Sequence, residues 1–80
     1  MVASPGKKSE RLPRYQKIAS DLRQMLASGR LKPGDAVPSE AALTQEYQVS
    51  RGTARHALAE LEGAGLVEAV HGKGRYVRRR

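Results

Sequence analysis

The chain has 80 residues, with 15 Lys or Arg against 8 Asp or Glu and a formal net charge of +7. A chain of this length forms at most one small domain, and its basic balance indicates a polyanionic partner. Because the sequence contains no cysteine, disulfides, thiolate zinc sites and cysteine nucleophiles are excluded. No segment approaches the roughly 18–20 apolar residues of a membrane span, and residues 1–10 lack the apolar core of a secretory signal. We therefore expect a soluble, cytoplasmic protein with no membrane contact.

The positive charge is concentrated at the two ends of the sequence. Residues 1–17 contain five Lys or Arg and one Glu, and residues 71–80 contain five Lys or Arg and no acidic residue. Residues 18–70 contain five basic and seven acidic residues, so the two ends are the candidates for contact with a polyanion. Residues 1–12 lack apolar periodicity, which predicts a flexible basic leader, or alternatively a tail without function.

The pattern changes at Pro13 and predicts a helix that ends at Gly29. Pro13 suits the first turn of a helix, and Gly29 suits the position just after its end. Pro33 and Gly34 then predict a turn, followed by a short extended segment at 36–38. The apolar residues of the helix recur at the spacing of one face: Tyr15, Ile18, Ala19, Leu22, Met25 and Leu26.

Two further helices follow, separated by a very short connection. Ser39 predicts the N-cap of a helix over about 39–47, and Ser50 predicts the N-cap of a helix over about 50–64. Two helices so close together along the chain are typical of a helix-turn-helix.

A hairpin completes the predicted fold. Residues 66–70 and 75–78 favour β-strands, and the glycine-containing segment 71–74 favours the turn between them. The predicted fold class is α+β, a winged helix-turn-helix in which three helices are followed by a two-stranded β-hairpin wing. It extends over residues 13–78, with a basic tail at 79–80.

The third predicted helix carries a small, cationic face opposite its apolar stripe. The residues on or beside that face are Arg51, Gly52, Arg55 and His56. A guanidinium group of Arg51 or Arg55 can donate there to guanine O6 and N7 in the major groove or to a phosphate. Gly52 allows the helix to approach closely, and the hydroxyls of Ser50 and Thr53 suit a phosphate. A solvated helix face with an ordinary serine cap is the alternative.

The predicted hairpin tip combines two glycines, a histidine and two cations. His71, Gly72, Lys73 and Arg75 can bring backbone and positive charge close to a phosphate-lined groove. A solvated turn is the alternative. The glycines do not form a dinucleotide-binding fingerprint, because the third glycine and the following helix are missing.

The sequence predicts neither a metal or cofactor site nor an enzyme. His56 and His71 are the only histidines, and they have no cysteine or helical histidine partner. Ser39 beside Glu40 is typical of a helix cap and not of an activated nucleophile, and a chain of this size offers little volume for a substrate pocket.

Several short segments of the sequence, in a fixed order and at characteristic spacing, resemble those of a known protein family. Over residues 15–77 the chain resembles the N-terminal winged helix-turn-helix domain of the GntR family of bacterial transcription regulators, and within it the HutC-like branch. The matching segments are YQKIA at 15–19, GRLKPGD at 29–35, PSE at 38–40 with Leu43, VSRGT at 49–53 with Arg55, Ala57 and Leu58, then Leu61, GLV at 65–67 and GKG at 72–74.

The resemblance implies that the third helix reads DNA. Arg51 and Arg55 would contact the duplex in the major groove, with Ser50, Gly52 and Thr53 at the start of the helix. Many relatives carry Thr or Ser where this chain has Gly52, although glycine is common in the HutC-like branch.

The resemblance also implies two flanking contacts. The wing around His71 and Gly72 would reach the adjacent minor groove, and Ser39 and Glu40 would begin a helix that lies near the DNA backbone. Ala41 stands where many relatives carry an arginine that contacts DNA, which shifts more of the binding to the third helix and the wing.

The sequence therefore predicts a sequence-specific regulator of transcription, a repressor, that binds double-stranded DNA at a palindromic operator as a homodimer. A winged-helix protein-interaction module and a non-specific nucleic-acid binder are the alternatives. Members of the family normally continue into a C-terminal domain that binds an effector and dimerises. We expect this chain to be either an isolated DNA-binding domain or a regulator without an effector domain.

Overall fold

The computed structural model describes residues 13–79, so the predicted leader at 1–12 and Arg80 of the predicted tail lie outside the described residues. Within this range three helices precede an antiparallel hairpin, which confirms the predicted α+β winged helix-turn-helix. The elements are α1 (Arg14–Ser28), α2 (Glu40–Tyr47), α3 (Arg51–Gly63), β1 (Val67–Val70) and β2 (Gly74–Val77). None of the helices in residues 13–79 has the length and apolarity that crossing a bilayer requires.

The helix boundaries follow from local backbone chemistry. Gly29 ends α1 with a φ of 85°, a left-handed conformation that glycine adopts without steric cost. Gln48 ends α2 in the same region of conformational space, with a φ of 56°. Because α2 ends at Tyr47 and α3 begins at Arg51, the turn of the helix-turn-helix is the short segment 48–50.

One aliphatic core joins the three helices to the hairpin. Within residues 13–79 no polar or charged residue is buried, so the interior is stabilised by packing and by removal of apolar surface from water. The largest fully buried side chains come from all three helices. The core residues are Ile18, Ala19, Leu22, Val37, Leu43, Ala54, Ala57, Leu58, Leu61, Val67 and Val77.

Strand β2 is paired on both of its edges. On one edge it is antiparallel to β1, with Val67 opposite Val77. On the other edge residues 34–37 run beside it, and Val77 N donates a hydrogen bond to Asp35 O at 2.8 Å. The sequence predicted the extended conformation of 36–38 but not this pairing, because the partner strand lies far along the chain.

A polar contact fixes the end of α2 against α1. The Tyr47 hydroxyl donates a hydrogen bond to Asp21 Oδ2 at 2.8 Å, and Arg14 donates to Tyr47 O. Burial raises the pKa of Tyr47 above its ordinary value, and the hydrogen bond to Asp21 acts in the same direction. These contacts join α1 to the end of α2.

Candidate nucleic-acid interface

Arg51 and Arg55 are the most prominent side chains of the helix predicted to read DNA. Arg51 is the first residue of α3, and Arg55 lies one turn later on the same face. Their side chains are 66% and 64% exposed. Both guanidinium groups are therefore accessible at the N-terminal end of α3, as the sequence predicted.

Ser39 and Ser50 cap the two helices of the helix-turn-helix, as the sequence predicted. Ser39 Oγ accepts a hydrogen bond from Ala42 N at 3.1 Å at the start of α2. Ser50 Oγ accepts a hydrogen bond from Thr53 N at 3.1 Å at the start of α3, and it also lies 3.1 Å from Thr53 Oγ1. Each cap satisfies a backbone N–H that the helix leaves free, so these residues set where the two helices begin.

Glu40 lies at the centre of an ion-pair cluster that includes both arginines. Its carboxylate lies 3.8 Å from Arg51 Nε, 3.3 Å from Arg55 Nε and 3.5 Å from Arg75 Nη1. The Glu40 side chain is only 18% exposed, so it is much less accessible than the side chains of Arg51 and Arg55. Its negative charge offsets the mutual repulsion of three guanidinium groups in a small area.

The titration of Glu40 reflects this arrangement. The hydrogen bond from Arg55 is the main influence that lowers the pKa of Glu40 below its ordinary value of 4.5, against an opposing effect of burial. The charges of Arg55, Arg75 and Arg51 lower the pKa further. The carboxylate therefore stays ionised at neutral pH and remains a partner for the arginines.

The wing differs in detail from the predicted hairpin. Its turn is 71–73 and not 71–74, because Gly74 pairs with Val70 and is the first residue of β2. Gly72 has a φ of 76°, which allows the tight reversal. Strand β1 begins at Val67 instead of residue 66, since Leu66 N donates to a carbonyl at the end of α3.

The predicted wing residues occupy two different places. His71, Gly72 and Lys73 form the exposed turn at the tip. Arg75 lies within β2, and its side chain is 22% exposed. Its guanidinium group is held by Glu40 and also donates to Glu62 Oε2, so Arg75 lies against the helices and not at the tip.

A cleft of about 310 Å³ lies between the wing and the starts of α2 and α3. Five of the predicted site residues line it, namely Ser39, Glu40, Arg51, Lys73 and Arg75. The fold thus brings together residues from the two helices of the helix-turn-helix and from the wing. Ser50, Gly52, Thr53, Arg55, His71 and Gly72 are not among its lining residues.

Sequence reasoning missed two side-chain contacts made by α3. Glu62 pairs with Arg75 of β2. Helical spacing places Glu62 on the same face of α3 as Arg51 and Arg55, although it does not indicate a partner on the wing. His56 stacks on Tyr15 of α1, with ring centroids 3.7 Å apart and ring planes 8° from parallel. His56 is therefore directed to α1 and away from the arginine face. In residues 13–79 no three His, Asp or Glu side chains are grouped so that they could hold a metal ion.

Comparison with known proteins identifies the family. Residues 14–77, almost the whole of the described chain, match the gntR family of bacterial regulatory proteins. The chain belongs to this family. The predicted family is thus confirmed, and with it the predicted class, since this family is one of bacterial regulatory proteins.

Two curated gntR relatives illustrate the similarity. The chain is 47% identical over 66 residues to the mannosyl-D-glycerate transport/metabolism system repressor MngR of Escherichia coli, a match that covers 82% of this chain and 28% of MngR. It is 37% identical over 65 residues to the HutC-like histidine utilization repressor of Klebsiella aerogenes, covering 81% of this chain and 27% of that protein. The chain thus spans little more than a quarter of the length of these relatives.

A solved structure with a similar fold allows the structure of this chain to be compared directly. The DNA-binding domain of AraR, crystallised with operator ORR3, superimposes with a TM-score of 0.79 at 33% sequence identity. The match covers 82% of this chain and 80% of that chain. The helix-turn-helix and wing of this chain therefore have the arrangement of a gntR-type DNA-binding domain.

Proposed function

We propose that this chain is the sequence-specific double-stranded DNA-binding part of a cytoplasmic transcription repressor. The observation that carries the proposal is the pair Arg51 and Arg55, about two-thirds exposed on one face of α3 and held in place by the carboxylate of Glu40. Arginine is the side chain best suited to guanine O6 and N7, because its planar fork can donate two parallel hydrogen bonds.

The shape of the surrounding surface supports this function. Helix α3 begins with a capped, exposed turn that can enter the major groove by its N-terminal end. Lys73, at the tip of the wing, is exposed and lines the same cleft as Arg51. The wing would then contact the adjacent minor groove while α3 contacts base edges. The AraR DNA-binding domain, which has the same fold, was crystallised in complex with operator DNA, and this supports binding of double-stranded DNA by the present chain.

Repression and dimeric binding extend the proposal. MngR and the histidine utilization repressor are repressors by name, which favours the same direction of regulation here. One domain offers two exposed arginines to the bases, and each good bidentate pair discriminates against the wrong base by about 1–3 kcal/mol. Two copies on a palindrome would double that discrimination, with half-sites about one helical turn or a multiple of it apart.

The decisive experiment is selection of bound duplexes from a random DNA pool at about 150 mM salt, followed by sequencing. We expect a short palindromic motif to be enriched, and its half-site spacing then gives the distance between the two copies. The matched control is Arg51→Ala combined with Arg55→Ala, which should bind DNA without enriching that motif.

Two outcomes would contradict the proposal. Binding without enrichment, lost as salt rises, would identify a non-specific electrostatic binder. Absence of DNA binding even at low salt, by a folded chain, would favour a protein-interaction module. Circular dichroism on the same samples establishes that the chain is folded in each case.

A further inference from the structure

The side chain of Arg75 joins three elements of the fold. It is the second residue of β2, its Nη1 lies 3.5 Å from Glu40 Oε2 at the start of α2, and its Nε donates to Glu62 Oε2 near the end of α3. One guanidinium group thus connects the wing to both helices of the helix-turn-helix. Arginine is suited to this because its donors form a rigid planar fork that can serve two carboxylates at once.

The sheet geometry directs this side chain inward. Alternate residues of a strand point to the same face, so Arg75 shares its face with Val77, which is buried in the core. The backbone of Arg75 is also fixed, since its carbonyl accepts a hydrogen bond from Val37 N at 2.9 Å. The position of the guanidinium group is therefore determined by the fold and not by a flexible loop.

Arg75 differs in this respect from the two arginines of α3. Its side chain is 22% exposed, against 66% for Arg51 and 64% for Arg55. Two carboxylates also occupy its donors. A guanidinium group in these surroundings is poorly placed to bind a phosphate, although it is well placed to hold the wing.

The wing needs such an attachment because its apolar anchors lie at its base. Val67 and Val77 are opposite each other and buried at the end of the hairpin nearest the core. Towards the tip, residues 71–74 are exposed. Arg75 lies between these two regions, so its ion pairs act on the part of the hairpin that carries Lys73.

We infer that Arg75, held by Glu62 and Glu40, is a positioning residue that fixes the wing at the distance from α3 required for simultaneous contact with one duplex. This inference rests on the proposed function, since it describes how the wing and α3 act together on DNA. It assigns to Glu62 a role in DNA binding although a carboxylate is repelled by phosphate.

The test is the substitution Glu62→Gln, measured by fluorescence anisotropy on a duplex selected by the wild-type chain. Removal of a negative charge should by electrostatics alone leave binding unchanged or tighten it. If Glu62 positions the wing through Arg75, Glu62→Gln should instead weaken binding by about three- to tenfold, the loss of roughly one ordinary hydrogen bond. Glu60→Gln, which removes the same charge from an exposed position of the same helix, is the matched control and should not weaken binding.

A double-mutant cycle with Lys73 separates positioning from direct contact. In the wild type Lys73→Ala should weaken binding and reduce the slope of log affinity against log salt by about one. In Glu62→Gln and in Arg75→Gln the same change should have less than about a twofold further effect, because the contact is already lost; independent sites would instead be additive. Arg75→Lys should be intermediate, since a single ammonium group is a point charge and not a fork.

The outcomes distinguish the inference from the proposed function. If Glu62→Gln binds at least as tightly as the wild type and the effect of Lys73→Ala is undiminished, Arg75 does not position the wing. If effects of Arg75→Gln and Lys73→Ala are additive, Arg75 contacts DNA directly. If the wild type selects no duplex, it is the proposed function that fails. Thermal melting of each variant sets a temperature at which all are folded.

Discussion

The core of this domain and the surface around Glu40 differ in composition and in exposure. In residues 13–79 the interior contains only apolar side chains, largely aliphatic, packed between three helices and the base of the hairpin. The surface around Glu40 instead gathers three guanidinium groups and two carboxylates, none of which is buried. The first region contributes stability through packing and the second contributes charge and hydrogen-bond donors.

This separation means that stability and recognition can be changed independently. Exposed ion pairs contribute little to stability, typically about 0–1 kcal/mol each, so the exposed side chains of Arg51 and Arg55 have little to do with whether the chain folds. Conversely, the core residues do not reach the surface that would meet DNA. Substitutions in the two regions should therefore produce two distinct sets of effects.

The largest expected effect is on the core. Leu58→Ala removes a fully buried side chain at the centre of α3 and should lower the free energy of unfolding by about 2–5 kcal/mol. A domain of this size has only about 4–12 kcal/mol of stability, so urea unfolding should show a large shift of the midpoint. Leu66→Ala, at a half-buried position, should lose less; equal losses would show that the core is not centred on α3.

A smaller effect, on DNA binding and not on stability, is expected at the surface around Glu40. Arg55→Ala should weaken binding to the selected duplex by about 1–3 kcal/mol and relax the base preference, while Lys73→Ala should weaken binding to all sequences similarly. Both variants should unfold within about 1 kcal/mol of the wild type. Titration against selected and scrambled duplexes checks this, with Arg23→Ala on the exposed side of α1 as control. Identical behaviour of the first two variants would contradict base reading by Arg55.

The contrast between the two regions also explains what could be predicted from the sequence. Helical periodicity, the caps Ser39 and Ser50 and the glycine that ends α1 are local signals, and they predicted all three helices within about a residue of each boundary. The exposure of Arg51 and Arg55 followed from the same periodicity. The convergence of Glu40, Glu62 and Arg75 depends on how the hairpin packs against α3, which is a non-local arrangement that residue spacing alone does not determine.

Substitution of Gly52 should change stability and DNA binding in opposite directions. A Cβ built on Gly52 would meet only Ser50 Oγ, at 3.9 Å, so alanine fits the fold. Alanine stabilises helices by up to about 1 kcal/mol relative to glycine, and Gly52→Ala should raise the melting temperature. It should nevertheless weaken DNA binding if the start of α3 approaches the bases closely.

Gly63→Ala is the matched control for this prediction. Gly63 is the last residue of α3, and a Cβ there would meet nothing within 4 Å. The substitution should be tolerated by the fold and should leave DNA binding unchanged, because the residue lies at the opposite end of the helix from Arg51. If Gly52→Ala binds DNA as tightly as Gly63→Ala does, close approach at Gly52 is not required.

The smallest expected effect is the contribution of the arginine cluster to stability, and pH isolates it. Because the pKa of Glu40 is lower in the folded chain than its ordinary value of 4.5, the folded state favours the ionised carboxylate. Its contribution is present above that ordinary value and is lost as pH falls through the lower, folded value. Urea unfolding of Glu40→Gln should therefore show a weaker loss of stability below pH 4.5 than the wild type does. Glu68→Gln, on the exposed outer face of β1, is the control. If this variant weakens the pH dependence of stability by the same amount, the effect comes from the general loss of negative charge and not from the arginine cluster.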